Sequence, residues 1–159
     1  MPSPISVKIE VPAWMKKYLQ YQSEDKNAKI LKFARKHEYN LLLTNLVTNY
    51  RRISILKDSN TKFKNNREVK IYLPFSDKKD VYFYNYISRH SAETFRRNIN
   101  LDFLYDFKLY LRNALLNGTQ RKIAIENFLN MYNINEDELK FESLYRRYTR
   151  YMNKIKRIV

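Results

Sequence analysis

Residues 5–11 alternate strictly, with Ile5, Val7, Ile9 and Val11 on one side and Ser6, Lys8 and Glu10 on the other. That is the period of a half-buried strand. Pro12, suited to a first helical turn, ends it. Residues 13–21 read as a short helix with Trp14, Tyr18 and Tyr21 on one face. The polar stretch 23–29 reads as a loop, 30–35 as a helical turn or two, and 37–52 as a stronger helix. In that helix Tyr39, Leu42, Leu43, Leu46, Val47 and Tyr50 point toward a core. Residues 57–67 hold charges and turn formers with almost nothing to bury, the composition of an exposed loop. The alternation then returns as Val69-Lys-Ile-Tyr-Leu-Pro74, echoing Val7-Lys-Ile-Glu-Val-Pro12. Two such strands pair either with each other or across a dimer axis, because an isolated two-stranded ribbon is marginal in water.

The second half of the chain is helical in its spacing. Residues 80–89 are dense in aromatics and ambiguous in period, and their charged flanks favour a helix. Ser91, followed by Glu93 and Thr94, reads as a cap for a long helix over 94–116. There Phe95, Ile99, Phe103, Leu104, Phe107, Leu111 and Leu115 recur at the helical step, with room for an interruption at 98–100. Gly118, the one glycine in the sequence, stands where a helix C-terminus favours a positive φ. Two further helices follow. The first, over 119–132, has Ile123, Ile125, Phe128, Leu129 and Tyr132 as its apolar set. After Asn133-Ile134-Asn135 and the acidic step Glu136-Asp137-Glu138 comes the second, over 141–157.

That last helix has two faces. Phe141, Leu144, Tyr148, Tyr151 and Ile155 form an apolar stripe, and Arg146, Arg147, Arg150, Lys154 and Arg157 fall on the opposite side. Two amphipathic helices joined by an Asn-rich connection, the second strongly basic, resemble a helix-turn-helix, with 119–132 as the supporting helix and 141–157 in the recognition position. The chain also resembles small basic proteins of bacteriophages and mobile elements. The likeness covers about a quarter of the sequence. It departs from the tight glycine-containing turn, since the connection runs from Asn133 to about Lys140; two-helix readers of the Trp-repressor type accommodate that width. The resemblance implies binding to duplex DNA.

Composition bears on this reading. The 159 residues suit one domain, or one with an appendage, and 44% hydrophobic content with 15% aromatic is that of a globular chain. The formal net charge of +15 gives a wide positive field that favours a polyanion, nucleic acid before an anionic membrane. An A+T-rich genome inflates Lys, Asn, Ile and Tyr together and accounts for part of the same bias. The absence of cysteine excludes disulfides, thiolate metal sites and cysteine catalysis. The sequence starts without the basic-then-apolar pattern of a secretory signal, and no apolar run approaches the ~18 residues of a membrane helix. A cytoplasmic or nucleoid location is expected, or a virion if the protein is packaged.

Chemistry is hard to assemble. His37 and His90 lie far apart beside charged neighbours, with no partner spacing for a catalytic base. No spacing suggests a metal cage, and a single glycine cannot form a phosphate-cradling loop. The carboxylates of Glu136, Asp137 and Glu138 could hold magnesium in a nuclease, but at a helix start they more simply complement its dipole. The tract Tyr82, Phe83, Tyr84 and Tyr86 could stack on bases, though such density is more often core.

The sequence therefore predicts a mainly α fold: a helical domain with a small two-stranded β element and a C-terminal helix-turn-helix-like hairpin. A strand-and-helix region over 1–117 and the hairpin region over 118–159 would form one compact unit. The expected function is non-enzymatic binding of duplex DNA as a regulator or architectural protein of a phage or mobile element. No cofactor, metal or membrane is expected; a homodimer fits by analogy with strand-helix segments that swap partners. The contact set is Arg146, Arg147, Arg150, Lys154 and Arg157, with Arg121, Lys122 and Tyr145 in support, and Arg96 and Arg97 as further cations. Two alternatives share this composition: a phage structural or packaged protein whose positive surface meets DNA or an acidic shell protein, and an RNA- or ribosome-associated protein.

Overall fold

The alternation at the start of the chain becomes strand β1 (Ser6–Pro12), with Val7, Ile9 and Val11 buried and Lys8 and Glu10 exposed. A computed structural model describes residues 5–49, 66–74, 77 and 79–157; of the expected loop at 57–67, residues 57–65 lie outside the described residues, and Asn66 and Arg67 belong to a strand instead, paired with Pro12 and Val11. Among the described residues the fold is mainly α, with helices α1 (Ala13–Gln22), α2 (Glu38–Leu46), α3 (Arg89–Leu116), α4 (Arg121–Met131) and α5 (Phe141–Lys156). Strands β2 (Ile30–Leu31) and β3 (Asn66–Tyr72) complete one sheet of order β1-β3-β2. The chain forms two compact units, Met1–Asn100 and Leu101–Val159, and the division falls within α3.

In the first unit the two echoing strands pair with each other, antiparallel, with Val7 opposite Ile71 and Ile9 opposite Val69. This register puts Val7, Ile9, Val11, Val69 and Ile71 in the core together. Four corrections to the expected elements follow. The sheet has three strands rather than two, because Ile30 and Leu31, expected in a helical turn, pair parallel with Lys70 and Ile71. Helix α1 buries Met15, Tyr18 and Leu19, whereas Trp14 is half-buried and Tyr21 is exposed, its ring 3.8 Å from Lys26 Nζ. Helix α2 stops at Leu46 and 47–49 are not helical, although the spacing predicts a helix over 37–52; Tyr50 and the rest of that span lie outside the described residues. Thr48 bridges to Tyr86, and Lys79 Nζ donates to the carbonyls of Asn45 (3.2 Å) and Val47 (2.8 Å), satisfying groups at the helix end.

The fourth correction concerns 80–89, expected to be helical. Asp80 takes over the local hydrogen bonding: its carboxylate accepts the Tyr82 N–H (2.9 Å) and its carbonyl those of Phe83 (3.1 Å) and Tyr84 (2.9 Å). A side chain that satisfies nearby N–H groups in this way favours a turn over a helix. Helix α3 then starts at Arg89, earlier than expected. Its cap is Ser88, whose Oγ accepts the Ser91 N–H at 3.1 Å, and it runs through 98–100 without a break. Phe95 and Ile99 complete the first unit's core.

The second unit comprises the rest of α3 with α4 and α5. Phe103, Phe107 and Leu111 of α3 are buried with Ala124, Ile125, Phe128 and Leu129 of α4 and Leu144 and Tyr148 of α5. Phe128 is central: its ring lies 5.4 Å from Phe103, 5.2 Å from Phe107, 5.4 Å from Tyr110 and 5.1 Å from Tyr132. Both turns around α4 use the same device. At the end of α3, Gly118 has φ 82°, its N–H donates to Leu115 O (3.0 Å), and the Thr119 N–H donates to Ala114 O (2.9 Å). At the end of α4, Asn133 takes φ 53°, its N–H donates to Asn130 O (3.0 Å), and Ile134 N–H donates to Leu129 O (2.9 Å). Both are Schellman closures, the second with Asn in the glycine position and its apolar pair, Leu129 and Ile134, buried.

No atom lies within 4 Å of where a Cβ on Gly118 would sit, so Gly118→Ala probes the backbone conformation alone. We expect it to lower stability by about 1 kcal/mol in urea unfolding, the cost of a left-handed L-residue, with no loss of helicity.

Candidate nucleic-acid interface

The acidic step holds α5 in place. The Glu138 carboxylate accepts the Asn135 N–H (2.9 Å), and the Glu136 carboxylate accepts that of Phe141 (2.9 Å), the first residue of α5. Only the second bond satisfies a donor that α5 leaves open, as a capping carboxylate does; the first closes the turn that precedes the helix, and the one acid in the first turn of α5 is Glu142. Among the described residues there is no group of three or more His, Cys, Asp or Glu that could hold a metal ion.

Helix α5 is the most sharply two-sided of the five. Leu144 and Tyr148 are buried, Tyr148 meeting Phe107 edge-on at 6.3 Å, and Phe141 and Tyr151 are half-buried. Ile155, expected on this stripe, is exposed because it lies about two turns beyond Tyr148, the last buried residue of the helix. At about 100° per residue, Arg146, Arg150 and Arg157 project within roughly 40° of one another, away from the core. Arg147 and Lys154 widen this arc along one flank, with Ser143 and Lys140 on the same side.

The eight expected contact residues divide into two groups. Arg121 is held by α5: its Nη1 donates to the Tyr145 hydroxyl (3.4 Å), and its Cζ lies 5.4 Å from the Tyr145 ring and 5.5 Å from that of Tyr148. Arg121 and Tyr145 thus join α4 to α5. Lys122 lies 4.0 Å from Glu126, and Arg146 makes a 2.6 Å hydrogen-bonded ion pair with Glu142. Arg147, Arg150, Lys154 and Arg157 are exposed and, among the described residues, form no ion pair.

Lys140, Glu142, Ser143, Arg146, Arg147 and Arg150 line a groove of ≈ 430 Å³ along the first turns of α5. The sequence reading missed Lys140 and Ser143. Lys140 stands seven residues before Arg147 and Ser143 four before it, so the same helical step, carried back across the cap, would have found both.

Other expected residues lie elsewhere. Arg96 Nη1 donates to the Glu10 carbonyl (2.9 Å), tying α3 to β1; burial lowers its pKa, opposed by Glu93 and Glu10. Arg97 is exposed. Tyr82 and Phe83, expected in the core, are 69% and 63% exposed, because the Asp80 turn carries them outward. His37 caps α2, its Nδ1 accepting the Tyr39 N–H (3.2 Å), and His90 is exposed in the first turn of α3. No helix among the described residues is long and apolar enough to cross a membrane. Comparison with protein-family models, curated proteins and solved structures found no match. The functional reading therefore rests on the residues themselves.

Proposed function

We propose that this chain is a non-enzymatic nucleic-acid-binding protein that takes duplex DNA on the basic side of α5, as a regulator or architectural protein of a phage or mobile element. The observation that carries the reading is the row of exposed cations Arg147, Arg150, Lys154 and Arg157, without ion pairs among the described residues, on a helix whose other side is locked into a core. In this reading α4 supports and α5 inserts, in the manner of a helix-turn-helix. The size is suitable: a helix 10–12 Å across, with its side chains, matches a major groove about 12 Å wide. The 16 residues of α5 extend for about 24 Å. Arginine forks reach phosphates or guanine edges, and lysines reach phosphates as point charges. The formal charge of +15 draws the duplex in at long range.

The test is binding of several duplex sequences across a salt series, read by fluorescence anisotropy. If the four cations each neutralise one phosphate, log affinity falls against log salt with a slope of about −3.6, at about −0.9 per phosphate. A preference among sequences supports a regulator, and indifference to sequence with the same slope supports an architectural role. Preference for structured RNA would transfer the reading to RNA, and absence of salt-dependent binding would end it.

A further inference from the structure

The groove at the start of α5 contains a carboxylate among its cations. Lys140, Ser143, Arg146, Arg147 and Arg150 surround it with positive charge and a hydroxyl, yet Glu142 sits in the same lining and holds Arg146 at 2.6 Å. Both partners of that pair are well exposed, with 67% of the Arg146 side chain and 68% of the Glu142 side chain accessible. Such an exposed pair contributes little to folding, because water screens it and both side chains lose rotamer freedom. Its effect on an incoming polyanion is larger. A phosphate that enters the groove meets a repelling carboxylate, and one of the cations it would use is already engaged.

Resting on the reading of α5 as a nucleic-acid contact, we infer that this groove is a phosphodiester subsite and that Glu142 is its internal counterion, holding Arg146 until a backbone phosphate displaces it. Lys140, Arg147 and Arg150 supply charge to the subsite, and Ser143 Oγ supplies a neutral donor. Arg146 is available only after exchange, since its guanidinium trades one oxyanion for another. The exchange weakens binding at every sequence alike and so acts against loose, non-specific retention. Glu142 also lies in the first turn of α5, where a carboxylate favours the helix dipole. The test therefore needs a readout that helix stabilisation does not move.

That readout is the salt slope. Affinity of the full chain for a 20-base-pair duplex is measured against salt for wild type, Glu142→Gln, Arg146→Gln and the double variant. Glu24→Gln serves as control, because it too removes one exposed acid from an ion pair, here with Lys32 at 3.4 Å, but in the first unit. Glu142→Gln should tighten binding about fivefold and steepen the slope by about 0.9, one further phosphate. Arg146→Gln should weaken it, and the double variant should return to within about twofold of wild type, as a coupled pair does. Glu24→Gln should leave the slope unchanged, and circular dichroism should show all variants equally helical. Equal effects of Glu142→Gln and Glu24→Gln on affinity and slope would overturn the counterion inference while leaving α5 as the contact surface. A wild-type chain that binds no duplex at any salt would instead remove the underlying reading, and this inference with it.

Discussion

Arg147→Glu combined with Arg150→Glu is expected to abolish duplex binding, by about 100-fold or more, while helicity by circular dichroism and the unfolding midpoint stay near wild type. Both residues are exposed, and among the described residues neither forms an ion pair, so the folded state loses no partner when they change. Binding loses two phosphate contacts and gains two charges that repel the same phosphates. The pair is half of the four-cation row, and both residues line the groove at the start of α5, so reversal puts two negative charges where row and groove meet. Reversing two charges alters the general attraction as well, and a control of equal charge is needed. Lys29→Glu with Lys36→Glu, two exposed lysines of the first unit, makes the same change in net charge and should retain most of the affinity. If the control loses as much as the α5 variant, attraction is diffuse and no face is privileged. If the α5 variant binds as wild type does, α5 is not the contact surface.

The cationic row was legible in the sequence because it depends only on helical period, and period is a local property. So were β1, β3 and the stop at Gly118, each read from alternation or from a residue with one favoured backbone role. What escaped were choices made by partners distant in sequence or by side chains acting on the backbone. Ile30 and Leu31 form a strand only because β3 lies beside them, and a two-residue pattern carries no period of its own. Aromatic density at 81–87 did not reveal that the Asp80 carboxylate would fix a turn there. In the interface, the tie from Arg121 to Tyr145 spans 24 residues and could not be read from spacing. The pair Arg146–Glu142 could have been, because both fall within the expected helix over 141–157 at the four-residue step of a helical ion pair. Reading the whole helix would have separated a neutralised arginine from the unpaired ones.

The distinction between charge and geometry is sharpest at Phe128, which carries no charge and is expected to matter as much as any arginine. Phe128→Ala removes the ring in contact with Phe103, Phe107, Tyr110 and Tyr132, at a site with 0% exposure. A buried Phe truncated to Ala costs about 3–5 kcal/mol, from lost transfer energy and the cavity left behind. Against the roughly 5–15 kcal/mol that stabilises a domain, this is a large share. The urea transition of the second unit should move to much lower denaturant, and near-ultraviolet circular dichroism from the packed aromatics should diminish. Phe128→Leu, which keeps most of the volume, should cost less and leave binding intact. Under conditions where the alanine variant is largely unfolded, every cation of α5 is still present but no longer held on one side of a helix. Its affinity for duplex should then fall to that of a flexible basic chain, and it should recover when low temperature or an osmolyte restores the fold. Wild-type affinity in the unfolded variant would mean that charge alone binds DNA and that the folded arrangement of α5 contributes nothing. Loss and recovery together would tie recognition to the aromatic core, since Leu144 and Tyr148, the latter in contact with Phe107, are the residues by which α5 is buried in it.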